Sequence, residues 1–368
     1  EYMVSRYPPL NDAGTYREIR QRMGKSRFLQ PLYNLTFVDP GDGPEQGGEK
    51  LKESTKPFKQ YEGKVIRDIR FMTLEPFGPG IYDTAGQPYT TAGKVGNALH
   101  IKTRSYILRD NLLISEGELL DPLAISDNEL LIRNLSYIDD TRFVVVPDEN
   151  SDSVDIVVIT KDKFSVGINP IIKSYNNVTI KLWNENLYGL GHHIQGEASF
   201  IADRQPLARF EHGSYTIPNI NGSFITGNIA YDLIDDTHKY SIGFTRGYLP
   251  PSINTGLGMQ YARYSWEEES NGLDSVPGIS DYEMEIQQLF LGHAFDLKDK
   301  ENSLMHNIYI TPGISILNRQ YVSRPELIGD DTANHRNFTL FLGNLSLSRN
   351  NFYTSNYFYE FGRTENIP

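Results

Sequence analysis

Three short stretches bring reactive residue types close together. Asn186-Leu187-Tyr188-Gly189-Leu190-Gly191 runs into His192-His193, and carboxylates are paired at Asp235-Asp236 and Asp330-Asp331. Gly189, Gly191 and Gly196 lack the spacing of a dinucleotide fingerprint, and their surroundings read as strand rather than strand followed by helix. Neighbouring histidines in a strand point to opposite faces, so His192 and His193 cannot chelate one metal. The aspartate pairs suit calcium or cations that bridge lipopolysaccharide, whereas loop carboxylates are ordinarily just solvated. The chain has no Gly-x-Ser-x-Gly elbow, no His-Glu-x-x-His helix, no phosphate loop and no cysteine. No catalytic residue, metal site, disulfide or cofactor is therefore expected. What remains for the glycines after Asn186 and Leu187 is conformation: Gly189 and Gly191 permit a tight turn or a close backbone approach.

Composition narrows the class. The 368 residues carry a net charge of -12, which leaves no electrostatic footprint for nucleic-acid phosphates. No apolar run reaches the roughly 18 residues that a membrane-spanning helix needs, which excludes a helical membrane protein. A membrane barrel is not excluded, because its strands show lipid only every second side chain and average out as polar, as the mean hydropathy of -0.44 does. Aromatic residues at 12% suit the girdles of such a barrel and suit a Tyr-rich sandwich equally. Glu1 begins no signal-peptide pattern, as expected if a signal was removed or if the sequence starts inside its gene.

Three regions are legible. Residues 1–62 read as a helical arm and linker, with Tyr16, Ile19 and Met23 at helical spacing, then Phe28 to Phe37 and the Gly-rich stretch Pro40 to Lys52. Residues 63–161 read as an α+β unit of order β-α-α-β-β. Its first strand holds Val65, Ile66, Ile69 and Phe71 and closes at Pro76-Phe77-Gly78. An amphipathic helix is expected over Asn97 to Leu113. After the turn Gly117 to Pro122, a second helix is expected to be capped by Ser126 or Asp127 with Glu129 in its first turn. Strands Thr141 to Val146 and Val154 to Thr160 close the unit.

Residues 162–368 read as strands only, about ten or eleven, the last over Phe352 to Phe361. Ile194, Gly196, Ala198 and Phe200 alternate with Gln195, Glu197 and Ser199. Ile225, Ile229, Tyr231 and Leu233 alternate with Thr226, Asn228 and Asp232, and Ile308, Ile310, Ile314 and Ile316 with Asn307, Thr311 and Ser315. One apolar and one polar face is what lipid outside and a wet lumen require, although a soluble sandwich also alternates. Leu257 to Trp266 alternates poorly. Tight turns are expected at Asp235-Asp236 and Leu249 to Ile253, and longer loops at Glu267 to Asp281 and Ser323 to Asn334. An open sheet in lipid leaves backbone groups unpaired, so the chain is expected to hold only part of a barrel.

The order of motifs resembles a known family. Ile107-Leu108-Arg109-Asp110-Asn111-Leu112-Leu113, Ser115-Glu116-Gly117-Glu118-Leu119-Leu120-Asp121-Pro122 and Tyr137-Ile138-Asp139-Asp140-Thr141-Arg142-Phe143 resemble, in sequence, a polypeptide-transport-associated (POTRA) domain. Asn186 to Gly191 and then Tyr215-Thr216-Ile217-Pro218 are similar to the early barrel of the BamA/TamA-like outer-membrane assembly family, the surface antigens. Tyr82-Asp83-Thr84 and Tyr359-Glu360-Phe361-Gly362-Arg363-Thr364 are similar to members from Bacteroidetes-type bacteria. Arg246-Gly247-Tyr248 has the letters of the family's loop motif but comes too early, and the closing strand has no counterpart.

The resemblance implies a POTRA domain followed by an antiparallel transmembrane β-barrel in the bacterial outer membrane, with the N-terminal part in the periplasm. Its partners would be membrane lipid, unfolded outer-membrane or secreted clients, and accessory subunits. A POTRA strand order of 1-3-2 leaves Thr141, Arg142, Phe143, Val144, Val145 and Val146 on an edge. That edge either docks an extended client or is covered by the arm or a neighbouring subunit. Phe164, Ser165, Val166, Gly167, Ile168, Asn169 and Pro170 would form the first barrel strand, at a seam where client strands are templated. The implied activity is protein insertion and assembly, with a two-partner-type secretion pore or passive channel as the alternative. The segment Tyr16 to Met23 is either a plug or an arm. Some relatives carry a lipase-like domain, for which Glu1 to Gln60 is too short, so an enzyme is not expected.

Overall fold

The helix Pro122–Arg133 shows how local chemistry sets the first domain. Asp121 caps it by accepting a hydrogen bond from Leu123 N at 2.9 Å, and Pro122 stands in the first turn, where a missing N–H costs nothing. The cap is therefore Asp121, not Ser126 or Asp127, because the proline can begin a helix but cannot continue one. Glu129 consequently lies in mid-helix. Ile125 and Ile132, two turns apart, are fully buried, and buried Asn128 bridges Ala124 O and Leu113 N, tying the preceding turn to the helix.

The computed structural model describes residues 52–53, 55–82, 84, 90–149, 151–202, 205–248, 253–271, 277–296, 308–324, 335–349, 352–356 and 362–366. The expected N-terminal arm, the turn at 249–252, the loop 325–334 with Asp330-Asp331, and residues 357–361 lie outside the described residues. Residues 51–355 and 363–368 belong to one unit, which holds every labelled element below.

The α/β module runs β1 (Val65–Leu74), α1 (Thr91–Leu99), α2 (Ser105–Asp110), α3 (Pro122–Arg133), β2 (Ile138–Pro147) and β3 (Ser153–Asp162). Its sheet has order β1-β3-β2, parallel between β1 and β3 and antiparallel between β3 and β2. Ile66, Ile69, Leu108, Leu120, Ile125, Ile132, Val154, Ile156 and Val158 form one core between sheet and helices. The single helix expected over Asn97 to Leu113 is two helices, α1 and α2. Between them, Thr103 N and Oγ1 bond to Asp162 at 2.8 and 2.9 Å, and Arg104 N bonds to Gly189 O at 3.0 Å. Tertiary acceptors have taken donors that a continuous helix would have used.

The rest is a large antiparallel meander. Strands β4 (Val166–Ser174), β5 (Asn177–Leu187), β6 (His192–Ile201), β7 (Ala208–Ile217), β8 (Thr226–Ile234), β9 (Thr237–Arg246), β10 (Thr255–Asn271), β11 (Pro277–His293), β12 (Ile308–Ser323) and β13 (Phe338–Arg349) each pair with their chain neighbours. A two-residue strand, Phe295–Asp296, also pairs with β12. Among the described residues no helix follows Asp162, and β4 and β13 are not joined, so the sheet is open. Phe352–Asn356 does not continue the meander; it joins Lys52–Glu53 and Gly362–Asn366 in a separate small sheet.

Register separates the two faces. Phe244, Met259, Leu289, Ile316 and Phe341 are directly opposed from β9 to β13, and Met259, Leu289 and Phe341 are 56%, 51% and 72% exposed. On the other face Lys181, Glu197, His212, Asp232 and Lys239 are opposed from β5 to β9. That polar row is joined by ion pairs: Lys181 to Glu197 at 3.2 Å, His212 to Asp232 at 2.6 Å, and Lys239 to Asp232 at 3.1 Å.

One expectation about connections holds and one changes. Asp235-Asp236 is a two-residue turn with φ of 47° and 65° at its two residues. Glu267 to Asp281 is mostly strand, because β10 and β11 stay in register from Glu267↔Asp281 to Asn271↔Pro277. Backbone pairing continues there although the apolar alternation has stopped. Both features lie at the end of the sheet away from the module, so short and long connections do not divide between the two ends there.

Candidate functional site

The module and the meander are joined through buried polar groups. Asp162 and His100 have fully buried side chains 2.9 Å apart, and the same carboxylate holds Thr103. Thr103 Oγ1 then accepts from Asn186 Nδ2 at 2.9 Å, and Asn186 Oδ1 accepts from Gly191 N at 2.7 Å. Asp162 of β3 is thus linked, through Thr103, to the β5–β6 turn. Gly189 (φ 72°) and Gly191 (φ 67°) are in the left-handed region. A Cβ on Gly189 would lie 2.3 Å from Lys102 O, and one on Gly191 2.7 Å from the Tyr137 ring. Both therefore require glycine for backbone conformation and for contact. The structure brings Asn186, Leu187, Gly189 and Gly191 together at this joint. A second clamp comes from the β7–β8 connection, where Asn219 Nδ2 donates to Asp110 O at 2.8 Å and to Asn111 Oδ1 at 3.1 Å. His100, Thr103 and Asp162 carried no sequence signal, since a lone buried acid looks like any strand-end aspartate.

The first meander strand starts later than expected and runs further. Phe164 and Ser165 precede it: the Phe164 ring lies 5.6 Å from Phe77, and Ser165 O accepts from Glu185 N at 2.9 Å. Val166, Gly167, Ile168, Asn169 and Pro170 lie in β4, which continues to Ser174 and pairs only with β5 among the described residues. Pro170 does not stop it, because a proline is tolerated on an edge strand when its nitrogen faces away from the ladder. The Trp183 indole fills the space above Gly167, where a Cβ would come within 2.1 Å.

Among the described residues strand β2 is an edge that pairs only with β3, and Thr141, Arg142, Phe143, Val144, Val145 and Val146 all lie on it. Its outward backbone groups are engaged from Thr141 to the N–H of Phe143. Thr141 N donates to Asp140 Oδ1 at 2.8 Å, Phe143 N to Glu129 Oε2 at 3.1 Å, and Arg133 Nη2 to Thr141 O at 2.7 Å. Arg133, 8% exposed, also pairs with Glu129 at 2.8 Å and Asp140 at 2.9 Å. Burial pushes the Glu129 carboxyl up, against the pull of Arg133. Pro147 ends the strand without an N–H.

Two further carboxylates in the module set opposite pH dependences. Hydrogen bonding from Arg67 (2.7 and 2.8 Å) holds Asp155 below the usual range. Its stabilisation is complete at neutral pH and is lost as pH falls through that lowered value. Asp127 is pushed up from 3.8 to about 6, first by burial and then by Asp121. The folded state therefore holds this proton more tightly, and stability falls as pH rises from about 4 through 6. Asp127→Asn is expected to stabilise the protein at pH 7.5 by on the order of 1–2 kcal/mol. The gain should vanish below pH 4 in urea unfolding of detergent-solubilised protein; a gain independent of pH would contradict the assignment. Among the described residues no cluster of His, Asp and Glu could hold a metal ion. His192 Nδ1 meets the Tyr215 hydroxyl instead, at 2.6 Å, and Asp236 pairs with Arg209 at 2.9 Å.

No known protein family and no curated protein matches this chain. Among solved structures, it is similar to BamA from Haemophilus ducreyi lacking POTRA domains 1–3, at 15% identity and a TM-score of 0.36, over 72% of this chain and 57% of that one. The chain thus spans little more than half of that protein's structure. It is also similar to CdiB from Escherichia coli (12% identity, TM-score 0.37, 96% and 77% of the two chains) and CdiB from Acinetobacter baumannii (12%, 0.33, 96% and 74%).

Proposed function

We propose that this chain is part of a bacterial outer-membrane protein that inserts or assembles other membrane proteins, with a POTRA-like module on the periplasmic side of a transmembrane β-barrel. One observation carries the reading: a meander of consecutive antiparallel strands exposes an apolar row from Phe244 to Phe341 on one face and an ion-paired row from Lys181 to Lys239 on the other. An apolar row of this kind is stable against hydrocarbon and costly against water, at roughly 25 cal/mol per Å². The free edge of β4 from Val166 to Pro170 would template client strands, driven by completion of backbone pairing in lipid and needing neither cofactor nor catalytic residue. Outer-membrane lipid, unfolded client chains and accessory subunits are the proposed partners.

The ion-paired face also suits a lumen, so a secretion pore is the second reading. The deciding experiment reconstitutes the full-length protein in liposomes and follows how fast an unfolded outer-membrane barrel becomes protease-resistant. Acceleration over empty liposomes is expected. No acceleration together with ion conductance would replace the insertase with the pore.

A further inference from the structure

The helix α1 is packed inside out. Its inner side is made of Gly93, which is buried, and of Gly96 and Asn97. A Cβ on Gly96 would fall 2.5 Å from the Phe77 ring, and Asn97 grips the Phe77 backbone, accepting from Phe77 N at 3.0 Å and donating to Phe77 O at 2.6 Å. At about 3.6 residues per turn, the opposite arc holds Ala92, Val95, Ala98 and Leu99, with Thr91 among them. All five are exposed, Val95 at 56% and Leu99 at 72%, and Ile101, just past the helix, is exposed too. A helix at the surface of a water-soluble unit places its apolar side chains the other way, toward the core.

Charge follows the same division. The chain carries a net charge of -12, yet residues 84–108 contain Lys94, Lys102 and Arg104 and no acidic residue. Lys94 borders the apolar arc, and Lys102 follows Ile101; Lys102 pairs with Glu75 at 3.2 Å and is still half exposed. The arc is also continuous with the apolar face of the meander. Phe77, held by α1, has its ring 5.6 Å from that of Phe164, which is itself partly exposed. Two residues on, β4 begins, with Val166 and Ile168 both exposed. Ile168 is opposed to Leu182, the neighbour of Lys181 in β5, so both turn away from the ion-paired row. The helix α1 therefore stands where the apolar face of the meander begins.

We propose that α1 is an interfacial anchor: Val95, Leu99 and Ile101 enter the adjoining lipid leaflet beside β4, with Lys94 and Lys102 at the phosphates of anionic phospholipids. Helices that lie in an interface bury an apolar side and place lysines at its rim. Basic residues next to a membrane are drawn to its anionic headgroups. The inference rests on the reading that the meander spans a membrane, and it gives the module a second point of attachment besides the joint at Asp162.

The chain has no cysteine, so a single introduced cysteine carrying the environment-sensitive dye NBD reports one position. Full-length protein is placed in nanodiscs of phosphatidylcholine and phosphatidylglycerol, with and without brominated acyl chains. At Leu99→Cys the brominated lipid is expected to quench the dye at least twofold. Phe341→Cys, on the apolar row of the meander, should be quenched as well. Leu119→Cys should not be: it is 66% exposed but bridges Val65, at the end of the module's sheet away from the joint. With the dye at Ala92→Cys, Val95→Glu combined with Leu99→Glu should at least halve the quenching, and phosphatidylcholine alone should weaken it. These side chains point outward, and an unchanged melting temperature checks that the fold is kept. An unquenched Leu99 position beside a quenched Phe341 position would overturn the proposal. So would equal quenching at Leu99 and Leu119, undiminished quenching of the double variant or in phosphatidylcholine alone, or disulfide-linked dimers through Leu99→Cys in place of lipid contact. Failure of the membrane reading looks different, because the Phe341 position then stays unquenched too.

Discussion

Asp162→Ala should cost about 3–5 kcal/mol of stability, the range for removing one partner from a buried charged network. The carboxylate accepts from His100 Nε2, Thr103 N and Thr103 Oγ1, and its side chain is fully buried together with that of His100. Alanine leaves these donors without an acceptor and without water. Because Thr103 passes the connection on to Asn186 and Gly191, the module should also loosen from the meander. Urea unfolding in micelles measures the first effect, and trypsin cleavage at Lys163 the second. Asp162→Asn keeps one acceptor and should lose about half as much. A loss below about 1 kcal/mol for Asp162→Ala, with an unchanged cleavage pattern, would show that the network does not hold the joint.

Gly189→Ala is expected to be nearly as damaging, and Gly63→Ala serves as its control. Both glycines have positive φ, 72° and 81°, so both alanines bear a left-handed cost of about 1–2 kcal/mol. Around Gly63 a Cβ meets nothing within 4 Å, whereas on Gly189 it falls 2.3 Å from Lys102 O. That oxygen belongs to backbone and cannot swing away as a side chain would. The total at Gly189 should reach on the order of 3–5 kcal/mol, against about 1–2 kcal/mol at Gly63. Gly191→Ala should resemble Gly189→Ala, since its Cβ would meet the Tyr137 ring. Equal melting shifts for Gly63→Ala and Gly189→Ala would mean that the contact with Lys102 is unimportant.

The strands near 65, 141 and 154 and the two-faced meander were legible because each rests on short-range periodicity, whereas the expected β-α-α-β-β order gained a third helix and is β-α-α-α-β-β. Glu197 against Ala198 in β6, or Ile314 against Ser315 in β12, declares its face from two neighbours alone. Places where local pattern and pairing disagree were misread. Glu267 to Asp281 is charged and still strand because β10 and β11 extend one another's ladder. Asn97 to Leu113 is amphipathic and still broken because Asp162, about sixty residues further on, claims Thr103.

The sequence by itself therefore determined the elements of regular side-chain period, the apolar face of the meander and the need for glycine after Asn186. These depend on side-chain period and on backbone sterics within a few residues. Only the tertiary structure decided which edge groups are engaged. Whether Phe143 N or Ile69 N meets a partner depends on where Glu129, Arg133, Glu116 and Arg109 fold back, and hydrogen bonds between such distant residues leave no periodic trace in the chain.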